Sequence, residues 1–304
     1  MLDFNNYLKL CRKNLHFTQW DLVTELFEFD PVFRGLDVNT LGRWERAVTR
    51  APISKQVKIL EYFFEKFDFY FPFLEMDDIE SIEKQFSLAA VNKFLGKHKS
   101  LVMNFPTTQS DSEDFKVLHA KDSSCRNMAF STAINISDDM YGENRFYSHD
   151  MLTKFAQFPS TFFLVCEYKK QYFGHSFFIY LRPDVYDKVV HFEMEYFDIT
   201  TEDLAGEDEV GSYMNVGLFA MNEKAVSLLF VRFYAQLIIN QKMISNVCTL
   251  ISNNDAVNIA TNFGLKKGLV RGDLMVHSGT IKDLLLTEQI TKILFSPNTA
   301  VEAP

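Results

Sequence analysis

Asn39, Thr40, Arg43 and Arg46 fall in one short helical stretch, and their side chains are of the types that read base edges. An asparagine amide can pair with adenine, an arginine fork with guanine, and a threonine with a thymine methyl or a phosphate. Thr18 and Gln19 stand where a helix would begin, and from there they would hold backbone phosphate. Residues suited to acid–base work are sparser. Glu193 and Glu195 flank Met194 and would share one strand face, where a carboxylate could act as a general base through water; a solvated strand face is the alternative. His175 and His191 have no second ligand at metal spacing, so hydrogen-bonded sheet histidines are expected and no metal site. No GxSxG, HExxH or Walker loop is present.

Helices must position the first of these groups. Leu2, Phe4, Tyr7, Leu8, Leu10 and Cys11 recur at helical spacing, and that helix stops near His16. Thr18 suits an N-cap, Asp21 answers the dipole three residues on, and a second helix over 19–27 turns Leu22, Val23 and Leu26 inward. A third, capped by Asp37 or Asn39, buries Val38, Leu41 and Trp44 and leaves Asn39, Thr40, Arg43 and Arg46 outside. This layout over 18–52 is that of a helix-turn-helix. The alternative is a solvated helix face with Glu45 paired to an arginine.

The string LxxCRxxxxxTQxxLxxxL, followed by VNTLGRWERAxxRAP, resembles the XRE (lambda repressor and Cro-like) helix-turn-helix family over residues 2–67. The resemblance implies sequence-specific binding of a double-stranded DNA operator through Thr18, Gln19, Asn39, Thr40, Arg43 and Arg46. One departure is EFDPVFRGL, Glu28 to Leu36, which is longer and more aromatic than the family's turn.

The chain has 304 residues, 47% hydrophobic and 15% aromatic, enough for packed cores in two unequal domains. No run reaches the ~18 apolar residues of a membrane span, and the first residues lack a signal-peptide pattern. A cytoplasmic protein is expected, with no membrane partner. Cys11, Cys125, Cys166 and Cys248 include no CxxC pair, so buried free thiols are expected. The net charge is −9, yet residues 1–58 carry nine Lys or Arg against seven Asp or Glu, leaving 22 − 33 = −11 for the remainder. A weakly basic head on an acidic body fits phosphate contact by the head alone, with a homodimer needed for tight binding.

Beyond the head, 53–71 continues as one or two helices, and its run YFFEKFDFYFPF suggests an interdomain core. Residues 77–95 read as one amphipathic helix, a linker or dimerisation element, and PTTQSDSED (106–114) marks a boundary. Strands and helices then mix: strands over 115–119, 161–168, 172–181, 191–199, 213–219 and 246–251, with helices over 123–141, 152–158, 223–239 and 254–263.

This order resembles the GNAT (N-acetyltransferase) fold over 115–290, most visibly in YFGHSFFIYL and in SNNDAVNIATNFGLKKG. Asn253 and Ala256 fall on the family's closing Asn and Ala, and Gly264 on its Gly, with Leu265 in place of Phe. The family's acyl-CoA loop is glycine-rich so that backbone N–H groups can approach pyrophosphate. Here the stretch is AMNEKA, with Met221, Asn222, Glu223, Lys224 and Ala225, no glycine and an acid at the phosphate position. Ala260 stands where many members carry a tyrosine general acid.

The expectation is therefore a multidomain protein of class α and α/β: an all-α helix-turn-helix head over 1–70, a helical linker over 71–112, and a mixed-sheet GNAT-like α/β domain over 113–304. Its expected function is a DNA-binding transcriptional regulator whose non-catalytic body serves dimerisation or senses a small apolar or acyl ligand, with no cofactor. The other reading is an active N-acyltransferase using acetyl-CoA or another acyl-CoA, brought to its substrate by the head.

Overall fold

In the computed structural model, residues 2–74, 78–95, 115–141, 148–252 and 254–295 are described. They divide into two units, Met1–Val91 with Lys282–Pro304, and Asn92–Ile281.

The first unit is helical. Asp3 caps α1 (Phe4–Asn14) by accepting from the Asn6 N–H, and Tyr7, Leu8 and Cys11 line its buried face. Thr18 and Asp21 form a reciprocal capping box at the start of α2 (Gln19–Phe29). The insert that looked anomalous in sequence is a cap and a plug. Asp30 accepts from the Val32 N–H to open a short 3-10 turn, and Phe33, fully buried, fills the space beneath. Gly35 leaves that turn at φ +81°, a conformation open to glycine at little cost. Asp37 then caps α3 (Val38–Glu45), with Leu41 and Trp44 inward.

The unit continues through α4 (Ile53–Phe67), α5 (Ile79–Glu83) and α6 (Leu88–Leu95, assigned to the first unit as far as Val91). The single helix expected over 77–95 is thus two, interrupted at 84–87. The aromatic run after Ile59 packs inside this unit: Phe64 stacks on Tyr70 at 4.2 Å, and Phe71 meets Phe295 at 6.3 Å. Phe295 belongs to α13 (Glu288–Phe295), which also sets its ring against Phe4 (5.6 Å) and Tyr7 (5.0 Å). The Ser87 N–H donates to the Ile293 carbonyl, and Lys282 pairs with Glu61 at 2.6 Å. The segment 282–295 is therefore part of the helical unit.

The second unit is mixed α/β around a seven-stranded sheet, consistent with the α/β class read from sequence. Its strands are β1 (Phe115–His119), β2 (Phe162–Tyr168), β3 (Gln171–Leu181), β4 (Gly211–Ala220), β5 (Ile244–Ile251), β6 (Lys266–Arg271) and β7 (Leu274–Thr280), in the order β1-β2-β3-β4-β5-β7-β6. All neighbours are antiparallel except β4 and β5. Lys169 and Lys170, both at positive φ, turn the β2–β3 hairpin.

One sheet face buries Phe163, Val165, Phe177, Ile179, Leu181 and Met214 with side chains of α7 (Arg126–Tyr141), α8 (His149–Gln157) and α9 (Pro183–Val190). Against the other lies α10 (Glu223–Ile239), where Phe233 stacks on Phe178 at 4.1 Å. A further helix of this unit is α11 (Asn254–Asn262), whereas α12 (Ile281–Leu285) belongs to the first unit from Lys282 onward.

The strand expected over 191–199 is not one. Its alternation is that of a strand, but Phe192 sits at φ +57° and the segment folds as turns and a 3-10 helix. Arg271 lies over the Phe192 ring and pairs with Glu195 at 2.5 Å, contacts from far along the chain that fix this irregular path.

Candidate active site

A parallel pair must run the same way along its shared ladder, and β4 and β5 do so only briefly. Their register extends from Gly211↔Ile244 to Asn215↔Thr249 and then ends, although β4 continues to Ala220 against β3. The strands part at Asn215. The cause is local: Phe177 faces Gly217 and Phe178 faces Asn215, so Val216 is an extra residue, a β-bulge that bends β4 away. Residues 215–219 are half-buried, whereas the paired half of the strand is buried. The crevice lies at the carboxyl ends of the two parallel strands, where β4 feeds through Met221 and Asn222 into α10.

Three buried polar atoms without partners belong to β3, β4 and the cap of α10. Asn215 Oδ1, Ser176 Oγ and Asn222 Nδ2 have no hydrogen-bond partner among the described residues. Asn215 shares a sheet face with Phe178, its register partner, and Ser176 stands two residues before Phe178 on that face. Asn222 spends its Oδ1 on the Ala225 N–H at 2.8 Å, capping α10, which leaves the amide N–H groups unused. Native interiors satisfy nearly all such groups, so these three retain hydrogen-bonding capacity beside the crevice.

The opposite face of the same strands carries a titratable pair. The Tyr172 hydroxyl and His175 Nδ1 are 2.6 Å apart, and His175 is wholly buried. Burial lowers the imidazole to about 4, so the ring is neutral at physiological pH. It stands opposite Phe219 in register, and its Nε2 lies 3.9 Å from where a Cβ on Gly217 would be. Tyr172 stacks parallel to Phe219, with 3° between the rings. His175 is therefore the hydrogen-bonded sheet histidine expected, but it adjoins the open half of β4. His191 is exposed, its Nδ1 bonded to the Asp187 carbonyl.

Glu167 is a second buried acid that sequence reasoning passed over. Burial opposes its charge, but the hydroxyl of Ser123, the Cys125 N–H and the Ser124 hydroxyl together hold its carboxyl below the ordinary value. Because these donors immediately precede α7, Glu167 anchors the start of that helix to β2. A Glu in an otherwise apolar strand, FFLVCEY, was the available signal.

Glu193 and Glu195 do not share a strand face: Glu193 is exposed in a turn, and Glu195 is engaged by Arg271. In the AMNEKA stretch, Met221 donates its N–H to the Phe173 carbonyl, Glu223 is exposed, and Lys224 is half-buried with its pKa lowered by burial. Ala260 is buried on α11, and Asn253 lies outside the described residues. No cluster of three or more metal-ligating side chains occurs among the described residues.

In the first unit, Asn39, Arg43 and Arg46 are exposed and Thr40 is half-buried. Thr18 and Gln19 have internal roles: the Thr18 hydroxyl donates to Asp21 at 2.8 Å, and the Gln19 amide donates to Glu45 at 2.7 Å. Among the described residues no helix is long and apolar enough to cross a membrane.

No family model and no curated protein matches this chain. Among solved structures it is similar to FeeM, an N-acyl amino acid synthase from uncultured soil microbes, at 12% identity and a TM-score of 0.38, covering 55% of this chain and 90% of that one. It is also similar to PH1933 from Pyrococcus horikoshii OT3, at 14% identity and a TM-score of 0.33, covering 55% and 98%. The expectation of a DNA-binding transcriptional regulator with a non-catalytic body is corrected: the similarity found is to an N-acyl amino acid synthase and not to a DNA-binding regulator. Physically, Gln19, expected on phosphate, instead donates to buried Glu45.

Proposed function

We propose that the second unit is a GNAT-like acyltransferase that moves an acyl group from an acyl-CoA thioester to a primary amine. The observation that carries this reading is the parting of parallel strands β4 and β5 at the Val216 bulge. An opened strand leaves backbone N–H and C=O groups along one side, and the amide-bearing arm of coenzyme A is an extended chain able to pair with them as an added strand does. Asn215, Ser176 and Asn222 supply side-chain polar groups along the same opening. In the reaction the amine nitrogen forms the new C–N bond, the C–S bond breaks, and the proton lost by the amine ends on the departing thiolate. Tyr172 and His175 are the titratable pair suited to relaying that proton, because a neutral imidazole can accept on one nitrogen while donating from the other. The missing glycines of AMNEKA mean that phosphate recognition relies on Lys224 and the α10 N-terminus rather than on close backbone approach.

Calorimetry with acetyl-CoA and with a long-chain acyl-CoA tests the reading. One-to-one binding with a micromolar Kd is expected for at least one donor. Silence with both would remove the enzyme from consideration.

A further inference from the structure

Apolar side chains exposed singly are ordinary on a protein surface. Those on α2 are not single. Trp20 is the most exposed large hydrophobic side chain among the described residues, at 65%, and Phe27 is the most exposed phenylalanine, at 55%. Their spacing, i and i+7, sets them two turns apart along one line of the helix, with half-buried Val23 beside that line. Leu22 and Leu26 of the same helix are fully buried on its other side, so the stripe is turned away from the unit's core.

The two long edges of this stripe carry opposite charge. Successive residues of an α-helix are turned by about 100°, so Asp21 and Gln19 lie to either side of Trp20. Asp21 and Glu28, again seven apart, line one edge with carboxylates. Asp21 spends one oxygen, Oδ2, on the Thr18 N–H and hydroxyl, and Glu28 is exposed with no ion-pair partner among the described residues. The other edge leads through Gln19 to α3 and Arg46: a Cβ on Gly42 would stand 3.0 Å from Arg46 Nη1 and 3.3 Å from Gln19 Oε1. Arg46 is exposed and pairs with no acid among the described residues.

We infer that this face of α2 is where two copies of the chain pair, the two helices running parallel about a two-fold axis between them. Trp20 and Phe27 then pack against their counterparts, and the acidic edge of each copy meets Arg46 of the other. An antiparallel pair would instead set acidic edge against acidic edge, which costs free energy. A foreign helix would have to answer both signs of charge, whereas a second copy supplies each opposite the other. One helix face is a small interface, so the pair is weak, with a Kd of about 1–100 μM. The pairing is independent of the activity assigned to the other unit.

Sedimentation equilibrium of the full chain tests this, with dimer expected at about 100 μM and monomer at about 0.1 μM. The second tryptophan, Trp44, is buried, so Trp20 emission reports the same equilibrium and should move to shorter wavelength as the dimer forms. Trp20→Ser and Arg46→Glu alter exposed side chains on different elements, and each should weaken the dimer by about ten-fold or more, with helical circular dichroism confirming the fold. Trp20→Cys should form an intermolecular disulfide with its own counterpart under copper-phenanthroline oxidation, because only the parallel pair brings the two copies of position 20 together. The wild type, whose four cysteines are buried, should not cross-link. A chain still monomeric at about 100 μM would leave the stripe to another protein and overturn the proposal. So would a dimer indifferent to both substitutions, or a Trp20→Cys variant that dimerises without cross-linking.

Discussion

Arg12 and Glu45 form a two-pronged ion pair inside the helical unit, with Nε to Oε1 at 2.6 Å and Nη2 to Oε2 at 3.0 Å. Glu45 is almost fully buried, and it also accepts from Gln19, while Arg12 donates onward to the Phe17 carbonyl at 2.6 Å. One carboxylate thereby ties α1, α2 and α3 together. Replacing Arg12 with Ala leaves that carboxylate buried and unpaired. The expected loss is about 3 kcal/mol of the helical unit's stability, the range for breaking a buried pair, and urea unfolding followed by helical circular dichroism reads it. An Arg12→Met, Glu45→Leu double variant should recover much of the loss, because the uncompensated charge goes with the pair.

His175 gives the second unit a dependence on pH with a definite sign. Its folded-state pKa, about 4, lies below the 6.5 of a free imidazole, so the unfolded chain binds the proton more readily. Stability from this residue is complete above pH 6.5 and falls as pH drops from 6.5 towards 4, by at most about 3 kcal/mol. Thermal unfolding between pH 4 and 7 should show this slope in the wild type. A His175→Gln variant should flatten it; an unchanged slope would assign the dependence to other groups.

Gly174 faces Ala220 at the far end of β4, the end that has lost β5. A Cβ on Gly174 would stand 2.5 Å from the Phe219 carbonyl oxygen and 2.9 Å from the Ala220 Cα, both backbone atoms with little freedom to move. Gly174→Ala should therefore cost about 1–3 kcal/mol and displace the strand bordering the crevice. Acyl-CoA binding should weaken more than the loss of stability alone explains, which calorimetry at a temperature well below unfolding would separate.

Asn222 holds two roles through one amide, and substitutions can divide them. Asn222→Asp keeps the acceptor that caps α10 but removes the N–H groups, so folding should be preserved while acyl-CoA affinity falls by about ten-fold. Asn222→Ala loses both, with about 1 kcal/mol of stability lost as well. Equal affinity of the Asp variant and the wild type would take the Asn222 amide out of the site.

Much of the architecture was legible in the chain because local signals and final packing agree. The helix over 223–239 appears with those bounds, its N-cap being the Asn222 that starts the pattern. The hairpin around KKQ appears likewise, with two lysines in the turn. Thr18 was legible as an N-cap and is one, and Asp21, expected only to answer the dipole, closes a capping box with it. The remaining segments depend on distant partners or carry no alternation. HFEMEYFDI alternates like a strand but is bent by Arg271, eighty or so positions downstream. KKGLVR forms an edge strand exposed along its whole length, so it has no inward face to betray it by alternation. The crevice was the least visible of all. Its cause is one extra residue, Val216, and a bulge changes pairing without changing composition. An arginine partner for Glu45 was readable in sequence and is present, but it is Arg12 of α1 and the carboxylate is buried rather than on a solvated face.

The placement of α13 has a bearing on how the molecule comes into being. Phe295 supplies a ring to Phe4, Tyr7 and Phe71, so the helical unit is completed by a segment that follows the sheet unit in the chain. During synthesis its early helices leave the ribosome with an aromatic surface still uncovered, and they must wait while the whole sheet unit is translated before the closing helix arrives. Helices that precede the sheet unit thus reach their native state only after it has been made, and any premature stop before residue 288 yields an incomplete helical unit however well the sheet has folded.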